Sequence, residues 1–276
     1  MRDNHALILG RPSFFMSKKS ISTAKSIRPL PPVSISEFRG VRSLHLGSSA
    51  IQGSMRKAVP DQIELEYVQQ MMMWSLFFDP LTLLDLPLHI VQLGLGAASL
   101  SKFCYRQFSQ AKITAIELNP AVIEICRKEF KLPADDQRLQ VLEMDALDYV
   151  TNATRHNSIN ILQADLYDAE AKGPVLDTPE FYQACADCLT DTGMLMVNLF
   201  SDAGTRQKNI LAMEAAFEFV AWLPEVHDAN VVAIAFKRAP KIDFAELFQR
   251  AAIIRINTKL PAASWVCGLQ KWMMQE

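Results

Sequence analysis

Cysteine is scarce in this 276-residue chain, and so is any excess of charge. The five cysteines, Cys104, Cys126, Cys185, Cys188 and Cys267, are scattered and odd in number, which argues against a disulfide framework. Cys185 and Cys188 form a C-x-x-C, but no second pair or nearby histidine completes a zinc site, so no metal is expected. Both fall inside a predicted helix, FYQACADCL, where cysteine is a common small core residue. A net charge of -2 gives no electrostatic reason to expect DNA, RNA or an anionic membrane as a partner. No apolar run reaches the ~18 residues of a membrane span. The N-terminal stretch has a short apolar patch but neither a long hydrophobic region nor a small-residue cleavage site. Residues 18–32 are rich in Ser, Lys and Pro, and residues 1–32 read as a disordered lead-in, with Met16 an alternative start. A cytoplasmic location is expected. No internal repeat is visible.

What is present is the material of an ordinary globular core: 50% of the residues are hydrophobic and 21% charged. The length suits one large domain, or a core domain with an appendage. Residues 34–38 and 41–46 read as short strands around a turn at Arg39 and Gly40, with a third strand at 50–55. Residues 61–78 carry apolar side chains at helical spacing, and the methionines at 71–73 read as soft core filling. Strands and helices then alternate. Strands are expected at 89–93, 112–117, 139–144, 159–164 and 194–199, with helices at 99–108, 120–130, 146–154, 178–189 and 205–220. This order predicts a mostly parallel sheet covered on both faces. Residues 225–227 and 231–237 read as a hairpin, followed by helices at 243–254 and 262–273. An antiparallel hairpin closing a parallel sheet marks the class I S-adenosylmethionine-dependent methyltransferase version of the Rossmann-like α/β fold. The division expected is a β-rich domain with a linking helix at 33–80 and a nucleoside-binding domain at 81–276.

The first strand of the alternation runs into Gly94-Leu95-Gly96. Glycines there let the backbone turn sharply and approach a ligand. Glu117 ends the next strand 21 residues after Gly96, where such folds place a carboxylate against both hydroxyls of a ribose. Ala97, Ala98 and Ser99 supply no further glycine for a pyrophosphate cradle, which favours a nucleoside over a dinucleotide. Asp145 and Ala146 follow the third strand, where a carboxylate can accept from an adenine amino group. The alternative for Glu117 and Asp145 is helix capping. Asp165, Tyr167 and Asp168 follow the fourth strand, at the carboxyl edge where ligands bind in open α/β sheets. A carboxylate pair beside a tyrosine suits an ammonium substrate, neutralising its charge and taking its proton. The alternative there is a solvated loop, with Asp168 capping a turn.

The chain resembles the spermidine/spermine synthase family, the polyamine aminopropyltransferases. The matching segments run in order from about residue 34 to about residue 200: GVRSLHLGSSAIQGSM, EYVQQMM, VQLGLGAAS, AIELNPAVIEICRKEF, MDALDYV, ADLYDAEAKGP and LDTPEFYQACADCLTDTGMLMVNLF. The resemblance implies a β-stranded domain joined to a Rossmann-like one, commonly a homodimer. It implies transfer of an aminopropyl group from decarboxylated S-adenosylmethionine to a polyamine, with no metal. Carried over, Glu117 holds the ribose, Asp145 the adenine, and Asp165 deprotonates the amine with Asp168 nearby. Gln52 and Gln69 match ligand-contacting glutamines, and 169–174 matches the closing loop. Two departures stand out. The family's GGGDG reads GLGAA here, with Ala97 at the aspartate that contacts the donor's amine, and its D-S-S/T-D-P-x-G-P reads DLYDAEAKGP. Losing a carboxylate that pairs a buried ammonium costs about 2 to 4 kcal/mol. The alternatives are therefore a methyltransferase using ordinary S-adenosylmethionine and a catalytically silent nucleoside-binding homologue. The missing N-P-P-Y-like motif after the fourth strand counts against N-methylation of bases or amides.

Overall fold

The computed structural model describes residues 30–168, 173–225 and 229–274. Most of the expected lead-in, 1–29, lies outside them, as do four residues of the expected closing loop and three of the expected hairpin. From Pro31 onward the chain forms one compact unit. It opens with a small antiparallel sheet of β1 (Val33–Phe38), β2 (Val41–Leu46) and β3 (Gly53–Arg56), in the order β1-β2-β3. Arg39 and Gly40 both hold positive φ, 48° and 77°, the two-residue turn whose twist suits a hairpin.

The helix expected over 61–78 is instead a short α1 (Glu66–Gln70) and a 3-10 segment, Met73–Phe77. The reason is burial on all sides: Met71, Met72, Met73 and Trp74 are each 0% exposed, so the chain threads the core here instead of laying one face on it.

The large sheet has seven strands, β4 (His89–Leu93), β5 (Lys112–Glu117), β6 (Leu139–Glu143), β7 (Ile159–Ala164), β8 (Leu189–Leu199), β9 (Phe219–Trp222) and β10 (Val231–Phe236). Their order is β6-β5-β4-β7-β8-β10-β9. β4 to β8 pair in parallel, and β10 runs antiparallel to both neighbours. The crossover helices are α2 (Ser99–Gln107), α3 (Pro120–Glu129), α4 (Ala146–Val150), α5 (Pro179–Cys188) and α6 (Ala203–Glu214). α7 (Phe244–Thr258) and α8 (Ala262–Met273) follow the last strand.

Alternate residues on the central strands feed two hydrophobic clusters, one per face. On β10, Val232, Ile234 and Phe236 join one cluster, and Val231, Ala233 and Ala235 the other. Leu44 and Met55 of the small sheet belong to the first, so the two sheets share that core. Cys185 and Cys188 are buried on α5, and the Cys188 thiol donates to the Val150 carbonyl at 3.2 Å, a packing role.

The expected closing hairpin is present with a different first strand. Helix α6 stops at Glu214, and Phe219–Trp222 pairs with β10 where 225–227 was expected to. Phe219, Val220, Ala221 and Trp222 cover the open edge of β10 with apolar side chains, which Glu225 does not offer.

At the centre of the sheet two adjacent strands each carry a buried glutamine. Gln92 and Gln163 lie in register on β4 and β7, 1% and 0% exposed. Gln92 Nε2 donates to Gln163 Oε1 at 3.1 Å, and the Ser101 hydroxyl donates to Gln92 Oε1 at 2.5 Å. Gln163 Nε2 donates to the Met71 carbonyl at 2.8 Å, just beyond the end of α1.

Candidate active site

β5 and β7 flank β4 on opposite sides, so their carboxyl ends open a crevice at a topological switch point. A cavity of about 480 Å³ occupies it, walled by residues that follow β4, β5, β6 and β7 and covered from the small sheet by Leu44, Leu46 and Gln52.

The floor is the turn after β4. Gly94 has φ +93°, and a Cβ there would lie 2.3 Å from the Asp165 carbonyl oxygen. Gly96 has φ +50°, and its Cβ would lie 2.8 Å from the Gln52 carbonyl oxygen. Both positions require glycine, and both line the cavity.

Glu117 closes one side. Its Oε2 accepts from the Leu95 amide at 3.1 Å and its Oε1 from the Asn119 amide at 2.8 Å. Helix α3 is capped not by Glu117 but by Asn119, whose side chain accepts from the Ala121 amide at 3.0 Å. Burial holds the Glu117 carboxyl above the usual carboxylate range, against backbone hydrogen bonds that pull it down. Asp145 lines the cavity and also caps α4, accepting from the Leu147 amide at 2.8 Å. Ala146, Ile116, Leu118 and Met144 give the same end an apolar wall. Glycine floor, amide-fixed carboxylate and apolar wall together fit a nucleoside.

Asp165 stands at the opposite side, on the first residue after β7. It opens onto the cavity and is enclosed by protein elsewhere; burial raises its pKa to about 6, with the bonds from Asn198 and Tyr67 pulling the other way. Asn198 Nδ2 donates to Oδ1 at 2.9 Å, and the Tyr67 hydroxyl lies 3.4 Å from Oδ2.

Three expected site residues make other contacts, and Ala97 is enclosed. The Tyr167 hydroxyl donates to the Asn198 carbonyl at 2.7 Å and accepts from the Phe200 amide at 2.9 Å. Burial pushes its pKa far up, and these two bonds tie the loop after β7 to β8 on the cavity wall beside Asp165. Gln69 is not on the cavity wall; its amide donates to the Ile63 carbonyl at 2.8 Å, a local bond that its place on α1 imposes. Asp168 also lies off the wall, its carbonyl accepting from Gln52 Nε2 at 3.2 Å. Ala97, at the family's aspartate position, is 2% exposed and not on the wall, because the β3 backbone at Gly53 packs onto it.

Sequence reasoning missed two residues. Tyr67 looks like one apolar member of a helical stripe, and Asn198 sits in the apolar run MLMVNLF. A lone amide in such a run is the one signal that pointed to the latter.

An open parallel sheet closed by an antiparallel strand, with a glycine turn after β4 and carboxylates at the ends of β5 and β7, defines a class I methyltransferase-type fold with its ligand crevice. The spermine/spermidine synthase domain matches residues 103–244. The polyamine aminopropyltransferase of Neisseria meningitidis serogroup A is 34% identical over 212 residues, 76% of this chain and 78% of that protein. A probable spermidine synthase from Corynebacterium glutamicum superposes with a TM-score of 0.65 at 17% identity, over 85% of this chain and 88% of that one. Human methyltransferase-like protein 13 in complex with SAH superposes at 0.64 and 22% identity, over 71% and 93%. The chain belongs to the spermidine/spermine synthase family.

Proposed function

We propose that this protein is a polyamine aminopropyltransferase, moving an aminopropyl group from decarboxylated S-adenosylmethionine to an amine of a small polyamine. One observation carries the reading: the carboxyl of Asp165, half-buried and held by Asn198, shares a cavity with the nucleoside-type carboxylate Glu117. In this reading Glu117 accepts from the ribose hydroxyls, Asp145 and Ala146 meet the adenine edge, and Gly94 and Gly96 let the backbone approach. Gln52 reaches the nucleoside from the small sheet.

An alkylammonium loses its proton near pH 10, so the acceptor arrives charged. Asp165 attracts that charge, orients the amine and takes its proton as the new C–N bond forms. The sulfonium of the donor supplies an activated carbon and leaves, with its electron pair, as methylthioadenosine. The protein's work is therefore orientation and proton removal. Asp168 follows on the same loop as a further carboxylate for the polyamine. The family resemblance supports a homodimer and a cytoplasmic setting, the first read directly by sedimentation.

A second reading, methyl transfer from ordinary S-adenosylmethionine, is favoured by Ala97, since no aspartate there repels a methionine carboxylate. The test is paired turnover read by mass spectrometry, with putrescine, spermidine and cadaverine offered against each donor in turn. A lengthened polyamine with methylthioadenosine supports the proposal. A methylated polyamine replaces it with the second reading, and no product from either donor overturns both in favour of a silent nucleoside-binding homologue.

A further inference from the structure

β8 places Met194, Met196 and Asn198 on one face, and the first two are core residues. The pattern calls for a third apolar side chain at 198, opposite Val232 of β10. The amide found there is 2% exposed, and its Oδ1 is buried without a hydrogen-bond partner among the described residues. Folding alone does not account for such a residue, because a buried acceptor left unmade costs stability that a leucine would not. Its Nδ2, however, has one partner among the described residues: it donates to Asp165 Oδ1 at 2.9 Å.

We infer that Asn198 is a positioning residue that reserves Oδ1 of Asp165, so that Oδ2, which accepts only the longer 3.4 Å bond from the Tyr67 hydroxyl among the described residues, is the oxygen that takes a proton from a bound amine. The inference rests on the reading of Asp165 as the base. β8 is itself held at this point by the Tyr167 hydroxyl on the Asn198 carbonyl, so the amide is presented from a fixed backbone. A donor to the charged carboxylate also favours the ionised form, partly offsetting the burial that raises it. The titratable groups around Asp165 are Tyr67 from α1 and Tyr167 from its own loop, with Glu117 and Asp145 on the same cavity wall.

The test compares Asn198→Leu and the isosteric Asn198→Asp with the parent protein. The leucine variant keeps methylthioadenosine affinity within about twofold and melts no lower than the parent, while kcat falls about 10- to 100-fold. The acidic limb of its kcat profile moves to higher pH, and Asn198→Asp moves it further by placing a second carboxylate beside the first. A kcat within about twofold and an unmoved limb overturn the inference. A carboxyl-carbon NMR titration of Asp165, identified by its loss in Asp165→Asn, reads the same displacement without turnover. If the parent protein transfers no aminopropyl group yet the Asp165 titration moves up in Asn198→Leu, the proposed function fails and the positioning role stands. An unmoved titration removes the positioning role whatever the activity.

Discussion

The Glu117 carboxylate, at the end of β5, reaches sideways to accept the Leu95 amide of the neighbouring β4 turn at 3.1 Å. The group assigned to the ribose therefore also holds the glycine floor, and the two cannot be altered separately. Glu117→Gln must turn an NH₂ toward one of two backbone N–H groups. Affinity for methylthioadenosine is expected to fall about 10- to 100-fold, the value of one or two hydrogen bonds to a charged group. Titration calorimetry checks this, and affinity within twofold of the parent would remove Glu117 from the ribose.

Replacing the base without changing its shape separates chemistry from binding. Asp165→Asn keeps the volume of the side chain and is expected to lower turnover by about 10² to 10⁴ while nucleoside binding holds. Turnover unchanged in this variant removes Asp165 from the mechanism.

The raised Asp165 pKa sets two pH trends of opposite sign. Activity requires the ionised form, so kcat/KM is expected to fall as pH drops below about 6. Stability runs the other way. A carboxyl whose pKa is higher folded than unfolded binds more protons in the native state between the two values, so stability is lost as pH rises from about 4 to about 6. Above that window the buried charge costs on the order of 2 to 3 kcal/mol. Asp165→Asn is accordingly expected to melt higher than the parent at pH 8 and to lose that advantage near pH 4. A parent protein that gains stability steadily from pH 4 to 7, with Asp165→Asn following it, contradicts the assignment.

Removing the Tyr167 hydroxyl separates a structural role for it from proton transfer. Tyr167→Phe leaves the Asn198 carbonyl and the Phe200 amide without their partner and is expected to cost about 1 to 3 kcal/mol in urea unfolding. The pH limbs of its residual activity stay where the parent has them. A displaced limb would assign the phenol to proton transfer.

At Gly94 the backbone and the base are in contact. An alanine there meets both a positive φ and the Asp165 carbonyl oxygen at 2.3 Å. Gly94→Ala is expected to lower stability by about 1 to 3 kcal/mol, measured by thermal melting, and to depress kcat, since relief comes by moving Asp165.

Much of this was legible in the chain because periodicity and glycine act locally. The strand into Gly94-Leu95-Gly96, the carboxylates at the ends of β5 and β7 and the alternation into β8 all follow from neighbours in sequence. What escaped depends on distant partners. Phe219–Trp222 is short and apolar, fits the tail of a helix as well as a strand, and is decided only by the edge of β10. Met71 to Trp74 read as a helical stripe until the core closes over every side of them. Gln69 matched a motif by spacing, but the short α1 turns it back toward Ile63. Tyr67 and Asn198 acquire meaning only where α1 and β8 converge on one carboxylate.

The pair of glutamines in the dry centre of the sheet carries one more consequence. Sliding β4 by two residues along β7 would keep every side chain on its own face, so hydrophobic patterning does not forbid that misalignment. The amides do. Slipped by two, Gln92 would lie beside Ile161, or Gln163 beside Ile90, and each would forfeit its partner. Gln92 and Gln163 thus act as a molecular key, fixing the alignment of the strands that deliver Gly94 and Asp165 from a point two residues inside the core.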